Sequence, residues 1–234
     1  MPDSRTNGAR IEIVRDKNRV RSRLVAIGFA AALFSGCGGE DFDKIRNIQS
    51  SGQAIICLGD SLTEGVGAGS GEDYPAVLSR HLAMPVLNAG QRGDTTAQAL
   101  ERISDAVLSK NPRLVIVFLG GNDFLRQLPR HETRKNLEEI VRRVQAQGAM
   151  AVIVGMRLGL FTDEYAPVYE ETARHLGALY IPGVMKGILS NAKLRSDPIH
   201  PNGAGYRLLA ERIGEKIKRL LHEADHLRVA NLAG

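Results

Sequence analysis

Cysteine is scarce in this sequence, and its scarcity excludes a fold held by a framework of disulfides. Among 234 residues only Cys37 and Cys57 are cysteines, so a site built from several cysteines is excluded as well. Cys57 lies within the apolar run Ala54–Leu58, where a thiol commonly behaves as a small hydrophobic side chain. We therefore expect no structural disulfide.

Apolar runs long enough to span a membrane are also lacking. The run Leu24–Phe34 has eleven residues, well below the ~20 that a spanning helix needs. Basic residues crowd the segment from Arg15 to Arg23 before it, and Ser35–Cys37 follows it. Because a basic segment, a short apolar segment and small residues make up a secretory signal peptide, residues 1–36 are interpreted as one.

The segment Ser35–Cys37 resembles a bacterial lipobox, in which the cysteine is lipidated and becomes the first residue of the mature protein. Phe34 departs from the pattern, which usually has leucine there. The resemblance implies a lipoprotein-type leader and a mature protein anchored through Cys37 to a membrane of the bacterial cell envelope, facing the periplasm. Gly38 and Gly39 favour the outer membrane. An uncleaved anchor and a free secreted or periplasmic protein are the alternatives.

A strongly basic surface is not expected in the mature chain. The formal charge of the whole sequence is +5, but the first 36 residues carry seven basic and three acidic residues, which leaves a net charge of +1 for the remainder. The basicity therefore belongs to the leader, and nucleic acid is not expected as a partner.

Strand-like apolar runs alternate with amphipathic helical segments along residues 53–222, which are interpreted as one domain between a tether at 37–52 and a C-terminal tail at 223–234. The alternation predicts an α/β fold in which helices cover both faces of a parallel sheet. The predicted strands are Ala54–Leu58, Pro85–Asn88, Leu114–Leu119, Ala151–Val154 and Ala178–Ile181. The predicted helices are Tyr74–Leu82, Thr96–Leu108, Thr133–Gln147, Asp163–Leu176 and Gly203 to about Leu221.

Four polar motifs lie between these segments. They are Gly-Asp-Ser-Leu at Gly59–Leu62, Gly-Asp-Thr at Gly93–Thr95, Gly-Gly-Asn-Asp at Gly120–Asp123 and Asp-Pro-Ile-His-Pro-Asn at Asp197–Asn202. In order and spacing they resemble the four blocks of the SGNH (GDSL) hydrolase family, over roughly residues 53–222. The resemblance implies a three-layer α/β/α sandwich, a five-stranded parallel sheet in flavodoxin-like order, and hydrolysis of esters.

Ser61 is the expected nucleophile. It follows the apolar run Ala54–Leu58, and ligands bind at the carboxyl ends of the strands in an open parallel sheet. The structural alternative is that this serine is only a helix N-cap, a position at which serine is common. The backbone N–H of Ser61 is a natural donor to an oxyanion.

His200 is the expected general base. Asp197 lies three residues earlier in a proline-constrained turn, from which its carboxylate can reach the imidazole Nδ1–H and fix the tautomer. The other five histidines lie in helical or terminal polar stretches. A metal site at Asp197 and His200 is the alternative, but no further cluster of histidine or cysteine accompanies the pair.

Gly93 and Asn122 match the remaining oxyanion positions of the family, which implies a backbone N–H from the first and a side-chain amide from the second. Their structural alternatives are a tight turn at Gly93 and an Asx turn at Asn122. Asp60 and Asp123 are expected to order the adjoining loops through hydrogen bonds.

The glycine-rich segment Gly65–Gly71 invites a phosphate-loop interpretation. That interpretation fails, because the Gly-Lys-Ser/Thr ending of such a loop is absent and the glycine spacing is wrong. A mobile loop beside the nucleophile is expected instead.

The family resemblance implies a serine esterase that acts on carboxylic esters or thioesters, such as lysophospholipids, acyl thioesters or aryl esters, without a cofactor. The segments Leu119–Arg126 and Met156–Phe161 are expected to line an apolar acyl pocket. Two alternatives stay open: removal or transfer of O-acetyl groups on envelope polysaccharide, and a binding module that keeps the fold without turnover.

Overall fold

One five-stranded parallel sheet forms the centre of the protein. A computed structural model describes residues 42–156 and 165–232, which belong to one compact unit. The strands are β1 (Ala54–Gly59), β2 (Val86–Gly90), β3 (Pro112–Phe118), β4 (Met150–Val154) and β5 (Leu179–Ile181). Their order is β2-β1-β3-β4-β5, and every neighbouring pair is parallel. The predicted flavodoxin-like order is confirmed.

The central strands are apolar, apart from Arg113 near the start of β3, because helices cover both faces of the sheet. All seven residues of β3 are buried, and so are five of the six in β1. At the edge, β2 leaves Leu87 43% exposed. Largely apolar runs therefore mark the strands at the centre of the sheet.

The helices pack in groups, with α2 (Tyr74–Leu82) against α8 (Gly203–Leu232) and α6 (Arg130–Ala146) against both α3 (Thr96–Glu101) and α7 (Ala166–Leu176). None of the helices in the described ranges is both long and apolar enough to cross a membrane. The remaining helices are α1 (Ser61–Glu64), α4 (Ile103–Ala106) and α5 (Gly121–Leu125), with 3-10 turns at Phe42–Lys44 and Leu108–Lys110.

The carboxyl ends of three neighbouring strands are level with one another. Gly59, the last residue of β1, pairs with Gly90 of β2 and with Phe118 of β3. The chain runs from β1 outward to β2 and then crosses to β3 on the other side of β1, so the strand order reverses here. Ligands bind at such a reversal, and the loops that follow all three strands meet at this edge.

One predicted helix is interrupted in the structure, and another is described only in part. The segment predicted as one helix over Thr96–Leu108 is broken at Arg102, where the backbone has φ −97° and ψ 3°. There the Arg102 guanidinium donates to the carbonyl oxygens of Gly59 and Ala89 at the strand ends. The helix predicted over Asp163–Leu176 is described from Ala166, and its first predicted residues lie outside the described ranges.

The two ends of the domain are more ordered than a tether and a tail. Helix α8 continues through most of residues 223–234, because Ala224 is buried and Asp225 pairs with Arg113 at 2.5 Å. In the segment interpreted as a tether, the Arg46 N–H donates to the Gly177 carbonyl oxygen at 2.8 Å. The last part of that segment therefore packs on the domain, while residues 1–41, including Cys37, lie outside the described ranges.

Candidate active site

Ser61 lies where the sequence placed it, directly after β1 and at the first position of α1. Asp60 begins the helix, and its Oδ1 accepts a hydrogen bond from the Leu62 N–H at 3.0 Å. The N-cap role thus falls to Asp60. The Ser61 side chain remains available for chemistry, and it lines a pocket at the carboxyl ends of the strands.

Ser61 and His200 are in hydrogen-bond contact although 139 residues separate them in sequence. The Ser61 Oγ lies 3.0 Å from the His200 Nε2. On the other side of the ring, the His200 Nδ1 lies 2.7 Å from the Asp197 Oδ2. The structure therefore brings the three predicted catalytic side chains together in one chain of hydrogen bonds.

Backbone donors hold the Asp197 carboxylate in place. Its Oδ1 accepts from the N–H groups of Ile199 and His200, both at 2.8 Å. The pKa of Asp197 is held below its usual value, most strongly by the bond from the Ile199 N–H and further by the contact with the imidazole and the bond from the His200 N–H. An ionised Asp197 accepts the Nδ1–H, which leaves the Nε2 lone pair directed at Ser61. This arrangement can take a proton from the serine hydroxyl.

Asn122 lies after β3, at the start of α5, and lines the same pocket as Ser61. Its Nδ2 donates to the Asp94 carbonyl oxygen at 2.9 Å and to the Asp60 Oδ2 at 3.2 Å. The amide is thus fixed between the loops that follow β1 and β2. Its contact with Asp60 is the longer of the two.

Gly93 lies on the loop that follows β2, at φ +84°, a conformation that glycine adopts without strain. Its carbonyl oxygen accepts from the Arg126 guanidinium at 2.8 Å. Gly93 is not among the residues that line the pocket, whereas Ser61 and Asn122 are. The structure therefore places the predicted third donor on a neighbouring loop at the edge of the site.

Asp60 and Asp123 are buried, with 2% and 1% of their surface exposed. Burial raises the pKa of Asp60 to about 6. Asp123 accepts hydrogen bonds from the N–H and hydroxyl of Thr96 and from the Thr133 hydroxyl. Asp123 thereby ties the starts of α3 and α6 to α5, which is the loop-ordering role expected from the sequence.

An apolar cleft of about 230 Å³ opens from Ser61 and His200. Of the predicted acyl-pocket segments, Phe124, Leu125 and Met156 line it, while residues 157–161 lie outside the described ranges. The sequence analysis did not assign to the pocket four further apolar residues that complete the wall. They are Leu62, Met185, Leu189 and Ile199.

In the described part of the chain, the fold brings no further metal ligand to Asp197 and His200. Within residues 42–156 and 165–232, no three histidine, cysteine, aspartate or glutamate side chains are grouped so that they could hold a metal ion. Cys57 is free and buried, and burial raises the pKa of its thiol to about 12, so it is an inert part of the core.

A comparison with protein families identifies the chain. The family model described as GDSL-like lipase/acylhydrolase matches residues 57–208, which include the end of β1, all four motifs and the start of α8. The chain belongs to this family. The predicted family and the predicted enzyme class are both confirmed, and the chain is a hydrolase of ester bonds.

Two relatives and one solved structure are similar to this chain over most of their length. Esterase TesA of Pseudomonas aeruginosa is 28% identical over 202 residues, which cover 82% of this chain and 99% of TesA. A thioesterase 1/protease 1/lysophospholipase L1 of Escherichia coli is 27% identical over 181 residues, which cover 74% of this chain and 87% of that protein. A crystal structure of TesA aligns with a TM-score of 0.69 at 29% identity, covering 72% of this chain and all of that one.

Proposed function

We propose that this GDSL hydrolase cleaves carboxylic esters or thioesters by two-step acyl transfer, with Ser61 as nucleophile, His200 as general base and Asp197 as the group that orients the base. The observation that carries this proposal is the 3.0 Å contact between the Ser61 Oγ and the His200 Nε2. A nucleophile, a base within hydrogen-bond reach and an orienting carboxylate are the parts that serine acyl transfer requires.

In the first step the Ser61 Oγ attacks the ester carbonyl carbon while the His200 Nε2 takes the hydroxyl proton. The tetrahedral intermediate collapses, the leaving group receives that proton from His200, and the acyl group remains on Ser61. A water molecule then attacks the acyl carbon with His200 again as base, and the acid is released as Ser61 regains its proton.

The negative charge on the tetrahedral oxygen requires donors, and three fit the proposal: the backbone N–H groups of Ser61 and Gly93 and the side-chain amide of Asn122. The Asn122 Nδ2 is bound to Asp94 and, at the longer distance of 3.2 Å, to Asp60. We infer that the amide hydrogen facing Asp60 is the one that turns to the oxyanion.

The walls of the cleft favour an apolar acyl group. The side chains beyond Ser61 and His200 are those of phenylalanine, leucine, isoleucine and methionine, and methionine adapts readily to flexible chains. The names of the two curated relatives, an esterase and a thioesterase/lysophospholipase, agree with this substrate class. A series of p-nitrophenyl esters from acetyl to palmitoyl separates it from the O-acetyl alternative, which would favour the acetyl ester.

The nucleophile is tested with Ser61→Ala and a matched control, Ser109→Ala, at a serine that is exposed and bonds only within its own turn. We expect no turnover and no acyl-enzyme by mass spectrometry for the first variant, and wild-type behaviour for the second. Wild-type turnover by a folded Ser61→Ala protein would contradict the mechanism.

The oxyanion role of Asn122 is tested by Asn122→Ala, for which we expect a fall in kcat of roughly 10²- to 10³-fold, as for removal of one oxyanion donor. Asn191→Ala is the matched control, since the Asn191 side chain is exposed and accepts only from the Lys193 N–H. An unchanged kcat in Asn122→Ala would leave Asn122 as part of a turn.

A further inference from the structure

Arg126 contacts both Gly93 and Asn122, two of the three residues of the proposed oxyanion site. Its backbone N–H donates to the Asn122 carbonyl oxygen at 3.0 Å, at the end of α5. Its guanidinium donates to the Gly93 carbonyl oxygen at 2.8 Å and to the Gln98 Oε1 at 3.4 Å. One exposed side chain therefore joins the loop after β2 to the helix after β3.

Gly93 needs such a contact because its own packing does not fix it. A Cβ placed on Gly93 would meet a single neighbour within 4 Å, the Arg126 guanidinium at 3.7 Å. A glycine at φ +84° is free to rotate to many other conformations. The preceding peptide is held at the Arg92 N–H by the Glu64 carboxylate, at 2.5 Å. Gly93 also lies inside a turn that the Asp94 N–H closes on the Gln91 carbonyl oxygen at 3.2 Å. Outside this turn, polar contacts and not side-chain packing hold it.

We propose that Arg126 is a positioning residue that fixes the Gly93 N–H relative to the Asn122 amide, so that both donors point at one oxyanion. This inference rests on the proposed function, in which Gly93 and Asn122 stabilise the tetrahedral oxygen. Because oxyanion donors must lie at hydrogen-bond distance, about 2.7–3.1 Å, from the position of the developing charge, a displacement of about 1 Å is enough to cost up to 10²-fold in rate.

The contacts below this loop are independent of Arg126. Asp94 is buried and pairs with Arg102 at 2.6 Å, and the Gln91 N–H donates to the Gly59 carbonyl oxygen at 3.0 Å. The base of the loop is therefore anchored to the sheet without Arg126. Removing the exposed Arg126 side chain is expected to leave the fold and its stability unchanged and to loosen only Gly93.

Arginine suits this position better than lysine does. The planar guanidinium presents several donors in a fixed fork, which here reach Gly93 and Gln98 at once, whereas an ammonium is a compact charge on a flexible stem. Arg126→Lys should therefore restore only part of what Arg126→Ala loses.

The test measures kcat and KM with a neutral p-nitrophenyl ester for the full-length wild type, Arg126→Ala and Arg126→Lys. Arg142→Ala is the matched control, because Arg142 is an exposed arginine of α6 that pairs with Glu138. We expect a fall in kcat of about tenfold or more in Arg126→Ala, below the loss for removing a donor outright, with little change in KM or Tm. We expect wild-type values in the control.

Two further readouts separate positioning from a structural role. A reversible transition-state analogue, such as a trifluoromethyl ketone, should bind Arg126→Ala more weakly by about the factor lost in kcat/KM, because its oxyanion uses the same donors. Millimolar guanidinium should restore part of the kcat of Arg126→Ala, and should leave Arg142→Ala and the wild type unchanged.

Several results would overturn the proposal. An unchanged kcat in Arg126→Ala would do so, as would a fall in Tm that accounts for the lost activity. A loss seen only in KM, or only with anionic esters, would assign Arg126 to binding a charged part of the substrate. Turnover by Ser61→Ala in the same assay would instead refute the proposed mechanism itself, so the two failures are distinguishable.

Discussion

Gly67 lies so close to Ser196 that a Cβ placed on Gly67 would come within 2.1 Å of the Ser196 Oγ and 2.5 Å of the Pro201 carbonyl oxygen. Ser196 in turn donates to the His200 carbonyl oxygen through its N–H, at 3.0 Å. The glycine-rich segment that was expected to be a mobile loop therefore packs against the segment that carries the general base. Gly67, which has no side chain, allows this close approach.

Replacement of Gly67 should therefore impair catalysis from a distance. In Gly67→Ala the new methyl group must displace the His200 segment, so we expect kcat to fall by roughly tenfold or more, as for a misplaced catalytic group. Gly71→Ala is the matched control, since Gly71 also has a positive φ, +74°, but nothing lies within 4 Å of its Cβ position. Equal effects of the two variants on kcat would mean that backbone strain, and not displacement of His200, explains the loss.

Asp197→Asn should lower kcat much more than it raises KM. The amide keeps the size of the carboxylate but can present an N–H to the His200 Nδ1, which favours the tautomer whose Nε2 carries the proton and cannot accept another from Ser61. We expect a loss of about 10²-fold or more in kcat, measured with one p-nitrophenyl ester. A rise in KM with kcat unchanged would make Asp197 a residue that only shapes the pocket.

Stability should depend on pH through Asp60. Its pKa in the folded state is raised from 3.8 to about 6, so the folded protein holds this proton more tightly than the unfolded chain does. The contribution of the group to stability is fully present below pH 3.8 and is lost as the pH rises through 6. Asp60→Asn removes the titration while keeping a good helix N-cap.

Urea unfolding of the wild type and Asp60→Asn at several pH values measures this contribution. We expect the free energy of unfolding of the wild type, relative to that of the variant, to fall by roughly 2 kcal/mol between pH 4 and pH 7. The comparison cancels the titration of other groups. A difference that does not change with pH would show that Asp60 is not desolvated as the structure indicates.

Much of the fold and the central part of the site could be predicted from the sequence, for a physical reason. Buried parallel strands are largely apolar runs. Ser61 and Asn122 come two and four residues after the ends of β1 and β3, so their meeting at one edge follows from topology. The contact between Arg126 and Gly93 could not be predicted, since it joins two irregular loops whose conformations depend on tertiary packing.

The far wall of the cleft was missed for a similar reason. Met185 and Leu189 lie between β5 and α8, in a stretch of turns without helical or strand periodicity. The length of α8 was underestimated although a signal existed. Leu220, Leu221 and Ala224 are buried at helical spacing, so the apolar pattern extends past the predicted end.

The interpretation of residues 1–36 as a lipoprotein-type leader leads to a separate prediction about Cys37, which lies outside the described residues. If Cys37 is the lipidated first residue of the mature protein, cells given labelled palmitate should incorporate it into the wild type and not into Cys37→Ser. The wild type should then fractionate with membranes and the variant should not. Two or more chains are expected on the cysteine, because one acyl chain binds membranes only marginally.

Cys57→Ser is the matched control, at a cysteine buried in β1; it should still take up label. Identical partitioning of the wild type and Cys37→Ser, with label in neither, would contradict lipidation and favour an uncleaved anchor or free secretion.

Ser61 and Asn122 lie on short helices that follow the central strands β1 and β3, whereas Asp197 and His200 lie in a segment of turns between β5 and α8. The order of events in unfolding should reflect this difference. Local opening of the turns would separate base from nucleophile while the sheet stays intact, because such segments open at lower free energy than core strands. As denaturant is added, hydrolysis should therefore disappear before the far-ultraviolet circular dichroism changes. On dilution from denaturant, the circular dichroism signal should return before the activity does.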